Sequence, residues 1–264
     1  MNRILGAMDA NLASHASHLH SAIPGARVRV ADDLLLADSG LHDDTFNLVC
    51  RARFTTDDAP GRVEDTATFV RATGRPFSWW VGPASTPADL RALLTVHGFV
   101  EQESESAMTA SLSDVPAPAA RSDLRVETVR DRRTLRDYAS LMAANWTPAS
   151  ATVVSYFDTA AEAILRPSCA STFVVGYLDG RPVSGAEVHI GDGVAGLYGV
   201  VTLDEFRRRG HGTAVTLAAL DVARRAGTRI AVLQASSEGA PVYTRIGFTA
   251  VGRYTEFALR SERP

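Results

Sequence analysis

Two Asp-Gly pairs set between apolar runs constrain this chain more than any other feature. Asp179-Gly180 and Asp192-Gly193 divide residues 171–203 into three stretches rich in Val, Tyr and Phe. Asp-Gly is typical of tight hairpin turns because both turn residues adopt positive φ angles there. The sequence therefore predicts three consecutive antiparallel strands, at about 171–178, 182–190 and 194–203.

The segments around these strands predict a mixed α/β domain. The residues that follow Gly212 are apolar nearly all round, which is typical of a helix buried against a sheet. We expect a mixed, mainly antiparallel sheet flanked by helices. The predicted elements are strands at 123–131, 229–236 and 249–259, with helices at 132–145, 150–166, 211–226 and 239–247.

The first half repeats part of this order. Its helix-to-strand joint, "LLTVHGFVEQ", is similar to the later "YTRIGFTAVG", which predicts an internal duplication. By strand alternation, only one of Trp79 and Trp80 should face the core of this half, and the other is a candidate for a domain interface. The predicted strands are 26–39, 45–54, 76–83 and 100–112, and the predicted helices are 61–73 and a helix with Thr86 as N-cap and Pro87 at its first position.

A stretch rich in Pro, Ala and Ser at 111–123 has no apolar period and is typical of a linker. We predict a first domain at 1–113, a linker at 114–122 and a second domain at 123–264.

Composition excludes several functions. The chain of 264 residues has a net charge of −3, and arginine supplies all 27 of its Lys and Arg residues. The absence of lysine excludes Schiff-base chemistry, and with it pyridoxal phosphate bound in the usual way. An acidic chain is not a general polyanion binder. The arginines at 207–209 are few and those at 129–137 are interleaved with Asp, so no nucleic-acid partner is expected.

Cysteine usage and hydropathy indicate the compartment. Cys50 and Cys169 do not form a Cys-x-x-Cys motif, and we expect both to be buried small apolar residues of a protein from a reducing cytosol. His15, His18 and His20 lack the further ligands of a metal site, so no metal is expected. No segment approaches the ~18 apolar residues of a membrane span, and none resembles a signal peptide. We expect a cytoplasmic protein with no membrane partner.

The motif Arg207-x-x-Gly210-x-Gly212 lies between a predicted strand and a predicted helix. Glycine adopts positive φ and leaves no Cβ to block a ligand. The amides at the helix start can then point at one anion, and the helix dipole adds to the attraction. The pattern predicts a backbone cradle for a diphosphate. The Gly-Lys-Ser/Thr signature of a P-loop is absent.

About thirty residues later stands Tyr243-x-x-x-Gly247-Phe248, and with the three preceding strands this combination resembles the GNAT superfamily of N-acetyltransferases. The resemblance implies acetyl-CoA as donor and a strand that splays at a bulge, with backbone amides that bind pantetheine and the thioester carbonyl. It implies Tyr243 as the general acid for the departing thiolate, Ser236 as a weaker pantetheine contact, and His211 as a helix-start residue. The implied CoA-binding set is Val200, Val201, Thr202, Arg207, Arg208, Arg209, Gly210, His211, Gly212, Thr213 and Ser236, in which the arginines are auxiliary.

The resemblance assigns no general base. Glu187 and His189 share one face of a strand by period-two spacing, and Glu187 is the first candidate. Glu256 is a further candidate, and an ordinary hydrogen-bonded strand residue is the alternative for each. The aromatic side chains of Trp146, Tyr156 and Phe157 either shape the acceptor pocket or pack in the core.

The first half has no such motif. Its corresponding stretch, 55–65, places Asp57 and Asp58 where an anion would bind, which predicts a degenerate module without CoA. We therefore expect one active site, which transfers an acetyl group to a primary amine of a small molecule. The alternative is a non-catalytic CoA-binding or interaction protein. Either a monomer or a homodimer is compatible with the sequence.

Overall fold

The computed structural model describes residues 2–119 and 123–259, which contacts divide into two compact units. Unit 1 consists of the described residues up to 107 together with those from 250 onward, and unit 2 consists of the described residues within 108–249. Among the described residues, no helix is long and apolar enough to cross a membrane.

Unit 1 contains three helices and a mixed sheet in the order β1-β2-β3-β4-β11-β5. β3 and β4 are parallel and are joined by α2, whereas β1-β2, β2-β3 and β4-β11 are antiparallel. The bounds are α1 (Asn2–Ser17), β1 (Arg27–Val30), β2 (Leu35–Asp38), β3 (Leu48–Cys50), α2 (Ala59–Thr73), β4 (Ser78–Val81), α3 (Leu90–Val96), β5 (Phe99–Ser111) and β11 (Thr249–Leu259).

Unit 2 continues with four helices and the order β5-β10-β9-β8-β7-β6. β9 and β10 are parallel and are joined by α6, and the pairs β6-β7, β7-β8 and β8-β9 are antiparallel. The bounds are β6 (Arg125–Thr128), α4 (Arg132–Ala143), α5 (Ala151–Ile164), β7 (Ser171–Leu178), β8 (Arg181–Gly191), β9 (Val194–Thr202), α6 (His211–Arg225), β10 (Ile230–Ala235) and α7 (Ala240–Arg245).

The two Asp-Gly turns have the predicted geometry. Asp179 and Gly180 have φ angles of 49° and 81°, and Asp192 and Gly193 have 55° and 78°. Two successive positive values define the turn whose twist matches that of the flanking strands. The three predicted strands are confirmed to within a residue or two at each end.

The sheet of unit 2 is covered on both faces. Ala186 and Val188 of β8 lie in a core with Val215 and Leu220 of α6. A Cβ at Gly185, which precedes Ala186 and so points to the opposite face, would meet the Tyr138 ring of α4 at 3.0 Å. α6 therefore packs on one face and α4 on the other.

Several predictions for the first half need correction. Segment 26–39 is two strands, β1 and β2, which pair antiparallel as a hairpin. α3 begins at Leu90, not after Thr86, because the Thr86 backbone and hydroxyl are hydrogen-bonded to Ala52 and Phe54. α1 had no prediction, since its sequence carries no clear start signal.

Alternation at the tryptophan pair is confirmed. Trp79 is 0% exposed and lies edge-on to Phe54 and Phe99 in the core of unit 1. Trp80 points to the opposite face, where its ring lies 6.4 Å from that of Tyr254.

The unit borders differ from the predicted domain ranges in two places. The border falls within β5, between Ala107 and Met108, rather than in the linker. The last strand, β11, belongs to unit 1, because Thr255 to Ala258 pair with Val81 to Ser78 of β4. Each unit thus contains a segment from beyond the linker.

Candidate functional site

A β-bulge interrupts the pairing of β9 with β8. Glu187 pairs with Tyr198 and Gly185 pairs with Val201, so Gly199 and Val200 together oppose Ala186. Gly199 has a φ of 52°. A bulge bends the strand and increases its twist, and glycine suits the left-handed position.

β9 pairs with its parallel neighbour β10 only near the start of β9. The paired residues are Ala195 with Ala231 and Gly196 with Val232. From Leu197 onward, β9 leaves β10, and the bulge lies within this unpaired part. The structure therefore contains a strand that separates from its parallel neighbour at a bulge.

The amide of Thr202 is directed to the open side. Leu203 N–H donates to Val183 O at 3.0 Å, so Leu203 faces β8. By the alternation of an antiparallel pair, Val201 N–H also faces β8, whereas the N–H and C=O of Thr202 face away from it. Arg207 Nε reaches Thr202 O at 3.1 Å, which supports this orientation. Val200 lies in the bulge itself.

The loop after β9 ends in a helix start without a side-chain cap. Gly210 is the N-cap of α6 with a φ of 79°, and its C=O accepts the first helical bond, from Ala214 N–H at 3.0 Å. The amides of His211, Gly212 and Thr213 belong to the first turn, where the N–H groups point out of the helix start. Three N–H groups and the positive end of the helix dipole therefore lie together.

The three arginines of the loop differ in surroundings. Arg207 contacts Asp204 at 2.9 Å in addition to Thr202 O, so it holds the loop against the end of β9. The Arg209 guanidinium lies 5.7 Å from the centre of the Phe206 ring. Arg208 is exposed and has a φ of 60°. His211 is buried as the first residue of α6, which fits a helix-start residue.

Tyr243 and Ser236 lie beyond the end of β10. Ser236 Oγ accepts from Gly239 N–H at 3.2 Å and thereby organises the turn into α7. Tyr243 is half-buried in α7, with its ring edge-on to Phe248 at 6.0 Å. The sequence predicted both residues to belong to the CoA site. In the structure they follow β10, the strand from which β9 separates.

Glu187 and His189 lie on the α4 face of β8, as predicted from their spacing. Ser171 Oγ of β7 donates to Glu187 Oε1 at 2.6 Å and lies 3.0 Å from His189 Nδ1. Glu187 is 5% exposed. A buried carboxylate so close to a bulged strand is a candidate proton acceptor.

Aromatic residues of α4 and α5 surround this carboxylate. Burial, and secondarily the charge of Glu187, raises the pKa of Tyr156 and that of Tyr138. Tyr156 and Phe157 are buried, and Phe157 is edge-on to Tyr138 at 5.4 Å. Both rings therefore pack against the core of unit 2, whereas Trp146 is 41% exposed.

Glu256, the further candidate for the general base, belongs to a different unit from Glu187. Glu256 lies on β11 in unit 1, where it accepts a hydrogen bond from Ser78 Oγ. Burial raises the pKa of its carboxyl group. Within the described parts of the chain, no group of three or more His, Cys, Asp or Glu is placed to hold a metal ion.

In unit 1, backbone hydrogen bonds occupy the position that corresponds to the unpaired end of β9 in unit 2. Beyond β3, Thr86 N–H donates to Ala52 O at 3.1 Å and Phe54 N–H donates to Thr86 O at 3.3 Å. β3, the strand that corresponds to β9, is followed by a segment that Thr86 bridges once the parallel pairing of β3 with β4 has ended. Asp58 precedes α2 and accepts from Thr55 Oγ1 at 2.7 Å, so a carboxylate lies at this helix start.

Sequence reasoning missed Gly199 and Tyr138. Tyr138 Oη donates to Gly199 O at 3.3 Å, and a Cβ at Gly199 would clash with Tyr138 Oη. A glycine inside a strand was the available signal. The tyrosine is 61 residues away in sequence, so no local pattern connects the two.

A bulged strand that leaves its parallel neighbour and leads through a glycine loop into a helix defines the GNAT class of fold. Residues 136–248 match the model of the Acetyltransferase (GNAT) family. The predicted resemblance is confirmed. A sequence comparison with curated proteins gives no significant match.

Solved structures extend the likeness to the whole chain. A GCN5-related N-acetyltransferase from Kribbella flavida has 20% identity and a TM-score of 0.72, over 96% of each chain. A tandem GNAT protein from the clavulanic acid biosynthesis pathway has 16% identity and a TM-score of 0.63, over 97% of this chain and 93% of that one. A GCN5-related N-acetyltransferase from Sphaerobacter thermophilus has 16% identity and a TM-score of 0.64, over 89% and 82%. The TM-scores show that the chain shares the fold of these proteins, which is the predicted tandem arrangement.

Proposed function

We propose that the protein is an acetyl-CoA-dependent N-acetyltransferase that moves an acetyl group directly to a primary amine of a small molecule. The observation that carries the proposal is the end of β9. There the amide of Thr202 faces the side where β10 no longer pairs with β9, and the amides of His211, Gly212 and Thr213 point out of the start of α6.

The residues present fit such a co-substrate. Acetyl-CoA supplies the acyl group as a thioester. The three amides at the start of α6 suit its diphosphate, since they combine N–H donors with the helix dipole. Gly212 leaves room beside Thr202, because a Cβ there would lie 3.2 Å from Thr202 Oγ1. The N–H of Thr202, with that of Val200 in the bulge, would hold the developing oxyanion.

Two side chains divide the proton transfers. Tyr243 donates the phenol proton to the departing thiolate, and Glu187 accepts a proton from the amine. The buried environment of Glu187 excludes bulk water from that acceptor. Both roles rest on the placement of these residues at the two sides of β9.

Binding is tested with acetyl-CoA and two glycine variants. A ligand that binds only the folded state raises the melting temperature. We expect Gly210→Asp to abolish this rise, because it puts a carboxylate beside the anion site. Gly227→Asp is the control: Gly227 also has a positive φ, 85°, but follows the other end of α6. Equal shifts for both variants would contradict the assigned cradle.

Turnover is tested with panels of amines and detection of released thiol. Tyr243→Phe should lower kcat by 10²-fold or more, with a smaller effect on acetyl-CoA affinity. Unchanged turnover across pH would exclude the general-acid role. Binding of acetyl-CoA without acetylation of any amine would instead favour the non-catalytic alternative.

We also propose, from composition alone, a cytoplasmic protein that is a monomer or a homodimer. Sedimentation equilibrium distinguishes these two states.

A further inference from the structure

A serine hydroxyl joins the two charged residues of β8 within unit 2. Ser171 stands at the start of β7, directly opposite His189 in the register of the two strands. Its Oγ lies 2.6 Å from Glu187 Oε1 and 3.0 Å from His189 Nδ1. Ser171, Glu187 and His189 are all less than 6% exposed. We call these three residues the serine bridge.

The number of protons in the serine bridge assigns the histidine tautomer. A hydroxyl has one proton to donate, and the Ser171 proton is directed to Glu187 Oε1. Ser171 Oγ must then accept in its contact with His189, so Nδ1 of His189 carries a proton. In this arrangement the imidazole donates a hydrogen bond to the hydroxyl, and the hydroxyl donates one to the carboxylate.

Other elements place further titratable groups around Glu187. Tyr138 of α4, Tyr156 of α5 and Cys169, which precedes β7, all lie within electrostatic reach of Glu187. Tyr198 of β9 pairs with Glu187 across the strands. Burial raises the pKa of Tyr138, Tyr156 and Cys169, which keeps these three groups neutral near pH 7. Within this neutral surrounding, the serine bridge supplies a hydrogen bond to the Glu187 carboxylate.

We propose that Ser171 and His189 are positioning residues that keep Glu187 ionised and oriented to accept the proton of an ammonium acceptor. This inference rests on the proposed function. Glu187 takes one proton from R–NH₃⁺, and the amine lone pair then forms the C–N bond of a tetrahedral intermediate. The intermediate loses its second nitrogen proton, the C–S bond breaks as the carbonyl re-forms, and the thiolate receives a proton from Tyr243. The net products are the amide, the free thiol and one proton. The substrate class is thus an amine that arrives protonated.

The test compares two variants of Ser171 in their pH profiles of kcat/KM. A hydrogen bond to a carboxylate favours its ionised form, so its removal in Ser171→Ala should move the acidic limb upward by about one pH unit. Ser171→Thr retains a hydroxyl and should restore the limb. Thr172→Val, which removes a hydroxyl on the opposite face of the same strand, should leave the limb in place. An unmoved limb in Ser171→Ala overturns the proposal.

A measurement without turnover separates this inference from the proposed function. The destabilisation caused by Ser171→Ala, measured by urea unfolding, should shrink as pH falls through the carboxylate range, because the lost bond was to the ionised form. A pure packing role gives the same destabilisation at every pH, and that result refutes the serine bridge. If the destabilisation shrinks but no amine is acetylated, the proposed function fails while the hydrogen-bond assignment holds.

Discussion

The bulge in β9 depends on one residue. Gly199 combines a φ of 52° with the approach of Tyr138 Oη, which lies where a Cβ would be. Tyr138 is 0% exposed and is held by Phe157 and Phe173, so it has no open space into which to move. The glycine and the tyrosine together fix the path of the strand.

We predict that Gly199→Ala destabilises unit 2 and weakens acetyl-CoA binding. The positive φ and the steric clash should together cost about 2–4 kcal/mol in the free energy of unfolding. Gly193→Ala is the matched control, since Gly193 also has a positive φ but a Cβ there would meet nothing within 4 Å. Chemical unfolding measures both variants. A cost no larger for Gly199→Ala than for Gly193→Ala would show that the contact with Tyr138 is unimportant.

At the scale of elements, local turn chemistry explains which parts were predictable. Asp179-Gly180 and Asp192-Gly193 carry their φ preferences in two adjacent residues, so the strands around them could be located from sequence. The start of α3 could not, because Thr86 is hydrogen-bonded to residues more than thirty positions earlier. The bulge of β9 and the serine bridge likewise depend on partners from distant strands and helices.

Strand β5 carries a half-buried glutamate whose protonation affects stability. Burial, with the charges of Glu103 and Glu256, raises the pKa of Glu105 to about 7. The folded state therefore holds this proton to higher pH than the unfolded chain, and the stability that Glu105 contributes is complete below about pH 4.5 and lost as pH rises through 7.

We predict that Glu105→Gln flattens this pH dependence. Relative to the wild type, the variant should gain stability as pH rises from 5 to 8, by about 2 kcal/mol. Glu101→Gln, on the exposed part of the same strand, should not change the slope. Urea unfolding at a series of pH values measures the effect, and parallel curves for wild type and Glu105→Gln would contradict it.

At the scale of the whole molecule, the two units differ in the described residues that follow the corresponding strands: unit 2 has an unpaired strand end beside a helix that begins after Gly210. The corresponding strands of unit 1 are bridged at Thr86, and a carboxylate precedes α2. We predict one acetyl-CoA bound per chain, which isothermal titration calorimetry measures directly. A stoichiometry of two would mean that the Thr86 bridge opens.

The linker is a suitable site for proteolytic cleavage, because each unit contains residues from both sides of it. Leu112, before the predicted linker, and Val115, near its start, are buried in the core of unit 2, and Arg224 donates to both of their carbonyl groups. We predict that cleavage within 116–122 leaves two fragments that co-elute in native size-exclusion chromatography and separate in urea. Separation without denaturant would show that these contacts are weak. A fragment that starts at 123 should unfold more easily than the cut protein.

The exchange of end strands also sets an order for folding on the ribosome. Unit 2 has all of its residues once position 249 has been synthesised, whereas unit 1 must wait for β11 to pair with β4. Domains usually fold in the order in which they emerge. Here the amino-terminal unit completes its native sheet last. During translation, β4 therefore has an unpaired edge until β11 is made, and a chaperone would recognise that edge.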